Sequence, residues 1–526
     1  MTEQGHLDII KEWQIGNTSD GCVVMENKVA LEAWRSIMKK RIWSYVAVFC
    51  LLAASLAGCA KTEGVTGQTE VPKETESEAL WETETETGYI PDTDDGEPET
   101  FQAAETEPEE SETEKLEEPE QEAGKDYQLD IKTMALEIGS DETSMTVVWE
   151  HTYPEGEVIR LFKAADPDTY VDFPGTLETS ADNKVKNYVA HITGLEPETQ
   201  YGYKAGREDE WTRTYYFTTK PDVADFQFLA AGDPQIGASE ESAADGRAWE
   251  KALQYMTEQT GESNFIFSLG DQVEDRNNPY QFEVFMEPEQ VKRTPVATLV
   301  GNHDVGSPYY SQFFVMPNQD AKKRGQPTNM EEGAADYSFT YGDTLFLCLN
   351  TNDMNNRNHT AFMTETIENY VQEHGKRPNW IIAAMHHSIF SITDHLEGKN
   401  YQARQEALAP AFSELGVDVV LMGHDHAHDR TYMMNGTTPH VVKNEDGSRP
   451  TEVKAQAGEV VYFTLNSATG SKFYEQVKIG DMIAFNNQEE VPNITKVMVR
   501  DDKIIFTTCR VEENCTVLEE FTLLHK

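Results

Sequence analysis

The sequence predicts an α/β domain preceded by a smaller all-β domain, and three observations carry the prediction. The composition changes after residue 125, where an acidic low-complexity stretch gives way to regular apolar periodicity. Residues 126–222 then read as short alternating strands separated by turns, with no long helical period. From 223 to 526, apolar strands alternate with helical stretches, the pattern of a sheet covered by helices. A chain of 526 residues has room for more than one core, because single cores stop growing near ~250–300 residues.

Taken in order, residues 1–37 are an amphipathic preface, expected to be disordered or to lie outside the exported protein. Residues 38–58 read as a secretory leader, with Lys39-Lys40-Arg41 ahead of the apolar run 42–57 and Met38 as its natural start. An uncleaved membrane anchor is the competing reading, although the run is short for a span. The tetrad Leu56-Ala57-Gly58-Cys59 resembles a bacterial lipobox. That resemblance implies a lipid on Cys59 and a chain anchored to the outer face of a bacterial membrane. Residues 59–125 form the acidic stretch. Between 60 and 125 there are 23 acidic and 4 basic residues, too much like charge to bury a core, so a disordered tether is expected.

The formal net charge of −50 argues against a nucleic-acid surface, which needs basic patches, and none is expected. An anionic substrate stays open, because a bound metal reverses the local field. Of the 6 cysteines, Cys22 and Cys50 precede the presumed cleavage point and Cys59 is the lipid candidate. Cys348 falls in an apolar strand, and Cys509 and Cys515 either pair across a short hairpin or stay as thiols.

In the all-β region the expected strands are 145–150, 158–163, 186–193, 200–206 and 214–218. Trp149, followed by Leu195-x-Pro197-x-Thr199-x-Tyr201-x-Tyr203, resembles a fibronectin type III sandwich. The resemblance makes Tyr201 a corner tyrosine whose hydroxyl bonds upstream backbone, and gives the domain a supporting role.

In the α/β region the run 226–231 ends in Gly232-Asp233-Pro234-Gln235, and a helix is expected near 246–260. The run 265–269 ends in Gly270-Asp271, and 294–300 in Gly301-Asn302-His303-Asp304. The runs 380–385 and 417–422 end in His386-His387 and Gly423-His424-Asp425-His426. Five strands thus finish in potential metal ligands, and sites in α/β sheets form beyond the carboxyl ends of strands. The run 460–465 leads into a small-residue turn, 495–499, 503–508 and 517–523 read as closing strands, and 309–333 and 352–359 as polar loops rimming the cleft.

Singly, each ligand has a plainer explanation. Asp233 suits a turn before Pro234, Asp271 a helix N-cap, Asn302 a left-handed turn, and a lone His386 or His424 a neutral hydrogen-bonded histidine. Together, Asp233, Asp271, Asn302, His386, His424 and His426 supply carboxylate, amide and imidazole donors without thiolates. That mixture suits Fe, Zn, Mn or Mg better than a structural zinc site. Six donors exceed the need of one tetrahedral ion, and Asp271 is the natural bridge between two. A pair ~3.5–4 Å apart holds a hydroxide nucleophile and clamps phosphoryl oxygens.

The series Gly232-Asp233, Gly270-Asp271, Gly301-Asn302-His303-Asp304, Met385-His386 and Gly423-His424-x-His426 resembles the calcineurin-like metallophosphoesterases. With the preceding sandwich it is most similar to their purple acid phosphatase-like branch. The resemblance implies a four-layer α/β/β/α sandwich with a dinuclear centre. Asp233, Asp271 and His426 would bind one metal, and Asp271, Asn302, His386 and His424 the other. His303 would contact phosphate or protonate the leaving oxygen, with Asp304 orienting its ring, and His395 matches a substrate-contacting histidine. His387 and His428 are extra. Two departures stand out. Gln235 occupies the place of a histidine found in the wider superfamily. Glu274 occupies that of the tyrosinate of the purple enzymes, so no purple colour is expected. Either residue is a candidate for the vacant ligand position.

The implied function is extracytoplasmic hydrolysis of phosphate monoesters or diesters by metal-held hydroxide. The alternatives are a cell-surface binding or adhesion protein with a weakened catalytic domain, and a nucleotidase or cyclic-nucleotide phosphodiesterase.

Overall fold

A computed structural model of the chain describes residues 129, 131, 133–151, 156–178, 186–221, 225–319, 335–398 and 400–526. It also describes a short antiparallel pair, Gly16–Asn17 with Val23–Val24. The expected leader at 38–58, the lipid site at Cys59 and the tether at 59–125 lie outside the described residues. Residues 114–526 form one unit and carry both expected domains. Among the described residues no helix is long and apolar enough to cross a membrane.

The all-β region contains β1 (Met134–Ile138), β2 (Ser144–His151), β3 (Val158–Lys163), β4 (Asp166–Pro174), β5 (Thr176–Glu178), β6 (Lys186–Thr193), β7 (Gln200–Arg207), β8 (Glu210–Trp211) and β9 (Tyr215–Thr218). One face is ordered β1-β2-β6-β5, the other β8-β7-β3-β4 with β9 on β7. Trp149, Tyr188, Tyr203 and Phe217 fill the space between them. Tyr201 Oη accepts the Glu196 N–H at 2.9 Å, the corner bond expected of it. The expected strands omit β1, β4 and the two- and three-residue strands β8 and β5. β1 is short and carries Glu137 as the fourth of its five residues; β4 is an exposed, proline-bearing edge strand without apolar alternation.

β1 also does something the sequence does not announce. It pairs in parallel with a strand of the α/β region, Glu137 opposite Val296, so one sheet runs through both regions. Glu137 is fully buried at the joint; its Oε2 accepts the Val315 N–H at 2.9 Å, and burial pushes its carboxyl well above the usual range. Tyr203 Oη donates to the Lys292 carbonyl at 2.6 Å, and Arg213 pairs with Glu289. The sandwich is fused to its neighbour rather than strung beside it.

The α/β region runs β10 (Phe226–Ala231), α1 (Ser242–Thr260), β11 (Phe265–Ser268), α2 (Pro279–Met286), α3 (Gln290–Arg293), β12 (Val296–Thr298), α4 (Tyr310–Phe313), β13 (Tyr337–Tyr341), β14 (Thr344–Leu349), α5 (Asn356–His374), β15 (Trp380–Met385), α6 (Tyr401–Leu415) and β16 (Val419–Met422). It closes with β17 (His428–Thr431), β18 (Met433–Asn435), β19 (Thr438–His440), β20 (Glu452–Lys454), β21 (Val461–Thr464), β22 (Ile483–Asn487), β23 (Asn493–Val499), β24 (Lys503–Arg510) and β25 (Val517–Leu524). The long sheet is ordered β20-β25-β24-β23-β10-β11-β12 before it meets β1, and the second sheet β13-β14-β15-β16-β21-β17-β22.

The two-residue period of a strand explains the layers. Phe346, Cys348, Ile382, Ala384, Val419 and Leu421 point between the sheets toward Phe228, Phe265 and Phe267. Their alternates Leu347, Leu349, Ile381, Ala383, Val420 and Met422 pack against Met363, Ile367, Leu408 and Phe412 of α5 and α6. With α1 burying Trp249, Leu253 and Met256 against the long sheet, the expected α/β/β/α order results. Cys509 and Cys515 form a disulfide across the β24–β25 turn, and Cys348 is a buried thiol. The stretches expected as polar rim loops differ in part: α4 and Phe314 are buried in the core, and α5 begins at Asn356.

Candidate metal centre

Strands β10, β11 and β12 are parallel neighbours, as are β15 and β16, so their C-terminal loops converge at one edge. The turns are abrupt. Asp233, Asp271, His424 and His426 have φ of +39°, +48°, +74° and +44°, a region non-glycine residues rarely adopt. Two glycines are dictated by crowding. A Cβ on Gly301 would collide with Asp271 Oδ1, and one on Gly423 would lie 2.6 Å from Asp233 Oδ2.

All six expected ligands meet there. Ligand atoms of Asp271, His386 and His424 lie within 4.8 Å of one another. His386 Nε2 is 3.3 Å from Asp271 Oδ2 and 3.0 Å from Asn302 Oδ1. Asp233 Oδ1 is 3.6 Å from His426 Nε2 and 3.9 Å from His386 Nδ1, and it is buried with no hydrogen-bond partner. The backs of these side chains are anchored. His386 Nδ1–H donates to the Leu269 carbonyl at 2.9 Å and His426 Nδ1–H to the Lys472 carbonyl at 2.8 Å, which turns each Nε2 inward. Asp271 Oδ1 accepts the His303 N–H and Asp233 Oδ2 the His424 N–H, both at 2.8 Å.

The electrostatics follow from crowding charges in a buried place. Burial, reinforced by Asp271, pushes the Asp233 carboxyl well above the usual range. Burial acts the same way on Asp271, but the facing His386 and His303 outweigh it and hold that carboxyl below the range. For His386 burial opposes the charge, yet Asp271 and Asp233 lift its pKa to about 9. Burial drives His426 down to about 3. Asp271 and His386 thus favour their charged forms, while burial disfavours charge on Asp233 and His426. The cluster's orphaned carboxylate oxygen and its thiolate-free donors fit hard or borderline cations.

Around this centre the remaining candidates take different places. His303 Nδ1–H donates to the Glu274 carbonyl at 2.9 Å, so Glu274 rather than Asp304 orients that ring. Asp304 is buried beneath the loops and accepts the N–H groups of Gly301 (2.8 Å) and Gln272 (3.1 Å), pinning two ligand loops together. Gln235 Nε2 donates to Glu274 Oε2 at 2.7 Å, which ties the two candidate replacements to each other; Gln235 Oε1 is buried without a partner. His395 reaches the site and stacks on His424 at 4.0 Å. His387 Nδ1 meets Thr351 Oγ1 at 2.8 Å, and His428 turns away to Glu519.

Other contributors had no role assigned from the sequence, although the small-residue turn after 460–465 was expected. The turn after β21 clamps the Asp233 loop: Ser467 Oγ donates to the Asp233 carbonyl at 3.0 Å, and Thr469 Oγ1 to that of Pro234 at 2.8 Å. Tyr474 stands edge-on to His395 (4.7 Å) and His426 (5.1 Å). Asp425 was visible as the residue between two ligands; nothing in the sequence marks Tyr474.

Residues 226–428 match the family described as calcineurin-like phosphoesterase, and residues 131–219 the purple acid phosphatase N-terminal domain. Two uncharacterised proteins of Mycobacterium tuberculosis are 23% identical over 301 residues, 49% of this chain and 53% of theirs. The chain spans about half the length of these curated relatives. Among solved structures, purple acid phosphatase PPD1 from yellow lupin (Lupinus luteus) seeds is similar with a TM-score of 0.59 at 17% identity, covering 74% of each chain. A structure of PhoD gives 0.52 at 12% identity, covering 77% of this chain and 92% of that one. At such identities the likeness is one of fold.

Proposed function

We propose that this chain, which joins a purple acid phosphatase N-terminal domain to a calcineurin-like metallophosphoesterase domain, hydrolyses phosphate esters outside the cytoplasm. The carrying observation is the converged donor set around Asp233, Asp271 and His386, whose spacing leaves a buried carboxylate oxygen without a partner. Asp233, Asp271 and His426 would hold one metal, and Asp271, Asn302, His386 and His424 a second. When bound, such a pair supplies Lewis-acid charge to the phosphoryl oxygens and activates the attacking water.

The chain's own part is orientation and proton transfer. The Leu269 and Lys472 carbonyls fix the tautomers of His386 and His426. Asp304 holds the Gly301 and Gln272 loops at a set separation. His303, backed by the Glu274 carbonyl, keeps Nε2 for substrate; as an imidazolium it donates that proton to the departing oxygen, a role worth ~10²–10⁴-fold. Export and a lipid on Cys59 rest on the leader motif; replacing Cys59 by Ser should abolish fatty-acid labelling and membrane association, and unchanged labelling would refute it.

The test is to reconstitute the purified chain with Fe, Zn, Mn or Mg and follow p-nitrophenyl phosphate and its bis ester. Two metals per chain with turnover are expected. Fewer than about two metals, and no turnover with any ion, would favour the binding-protein reading.

A further inference from the structure

The middle residue of the Gly423-His424-Asp425-His426 turn is not one of the six metal-binding candidates, yet its side chain is fully buried. A carboxylate taken out of water is costly unless something faces it. Asp425 Oδ1 lies 3.0 Å from His395 Nδ1, while Oδ2 has no hydrogen-bond partner. Among the described residues, His395 is therefore the one side chain that hydrogen-bonds this carboxylate.

The His395 ring is held in other ways too. It lies nearly flat on His424, with centroids 4.0 Å apart and planes 20° from parallel, and Tyr474 meets it edge-on at 4.7 Å. Stacking fixes the plane of a ring but not which nitrogen points where. A carboxylate oxygen 3.0 Å from a ring nitrogen is met best by an N–H, which places the hydrogen on Nδ1. Nε2, on the opposite edge, is then left for the cleft, and the side chain keeps 24% of its surface exposed.

We propose that Asp425 is a positioning residue for His395, fixing its tautomer and rotation so that Nε2 meets the phosphoryl group or leaving oxygen of a bound ester. This inference rests on the phosphoesterase reading above. It gives the site two independently oriented imidazoles: His303 on the Glu274 carbonyl and His395 on a carboxylate.

The experiment compares Asp425→Ala, His395→Ala and the double variant in the metal-reconstituted full chain, with p-nitrophenyl and phenyl phosphate as substrates. Each single change should lower kcat about 10–100-fold, more for phenyl phosphate, with metal content unchanged. The double variant should fall no further than His395→Ala, because both changes remove one function. Losses that multiply, or metal lost on Asp425→Ala alone, would overturn the proposal and assign Asp425 to the metal loop. A second readout does not depend on turnover. In the ¹⁵N-histidine-labelled chain, the Nδ1–H resonance that disappears in His395→Ala should also disappear in Asp425→Ala. Its persistence there overturns the proposal, whereas a wild-type chain that hydrolyses no ester under any ion refutes only the phosphoesterase reading.

Discussion

Two buried histidine–carboxylate groups lie at the two ends of one short stretch, and the space between their atoms separates them. At one end His424 and His426 face Asp233 and Asp271. There the His386 and His426 imidazoles stand 3.3 to 3.9 Å from those carboxylates, and one oxygen has no partner. At the other end His428 and Arg430 reach Glu519 at 3.0 and 2.7 Å, with the guanidinium 4.0 Å above the Phe521 ring. Both groups are buried and both mix acid with base. Direct hydrogen bonds from His428 Nε2 and Arg430 Nε close the second around Glu519 and make it a piece of core, although His428 Nδ1 is itself buried without a partner. The open spacing of the first is what a cation fills. Backbone geometry sets the difference: His424 and His426 have positive φ beyond the strand end, whereas His428 sits inside β17.

The harshest way to break this contrast is to remove the shared carboxylate. Asp271→Ala should abolish stoichiometric metal binding and lower turnover by at least about 10³-fold, the loss of several kcal/mol of charge stabilisation. The metal-free fold should lose a few degrees of melting temperature, because Asp271 also accepts the His303 N–H and faces His386, but less than Glu519→Ala loses. Metal titration and calorimetry on the same samples decide it. Retained metals with a collapsed melting temperature would reverse the assignment of the two groups.

Glu519→Ala should do the opposite. It leaves a buried arginine and histidine without their partner, a change expected to cost about 3–5 kcal/mol of stability, while metal content and kcat per folded molecule stay as they were. The pH dependence has a definite sign. Burial pushes the Glu519 carboxyl up, but the hydrogen bond from His428 and the charge of Arg430 outweigh it and hold the group below its usual range. Its folded pKa is lower than its unfolded one, so the stabilisation is present above the unfolded value of ~4.3 and is lost as pH falls through the lower folded value. Denaturant titrations of wild type and variant should differ by a constant amount above that pH and converge below it. A difference that persisted into strong acid would show that packing, not the ion pair, is what the variant removes.

Much of the fold and most of the ligand set were legible because parallel strands buried on both faces leave continuous apolar runs, and each run stops where its ligand begins. Phe226–Ala231 and Trp380–Met385 coincide with the expected strands, and the six ligands sit on the loops that follow β10, β11, β12, β15 and β16. What stayed hidden is what depends on partners distant in sequence. The role of Glu274 behind His303, 29 residues away, is carried by a backbone carbonyl, which no residue type encodes. Asp304 looked like a ring-orienting carboxylate because it is adjacent in sequence, yet its donors are backbone N–H groups of two loops. Gly301 and Gly423 were readable as turn residues, but the reason for them is crowding against Asp271 and Asp233. The fusion through β1 was invisible for a related reason: one parallel pairing, Glu137 with Val296, spans 159 positions and leaves no periodic trace.

That fusion frames the gentlest test. Tyr201 belongs to the sandwich, far in sequence from any ligand, and its contacts are closed in the same sense as those of Glu519. Its ring packs on Phe217 at 5.5 Å, and its hydroxyl accepts one backbone N–H. Tyr201→Phe keeps the ring and removes the acceptor, which should cost about 1 kcal/mol, or roughly 2–4 °C in melting temperature, and leave metals and turnover untouched. The shape of the transition matters more than its shift. A sandwich that shares a sheet with the catalytic layers should melt with them, since losing β1 strips hydrogen bonds and the Glu137 contact from β12 and the segment at Val315. One transition, displaced slightly downward, is therefore expected by calorimetry. A separate early transition in the variant would mean that the joint transmits too little energy to couple the two regions, and that the sandwich supports the site without stabilising it.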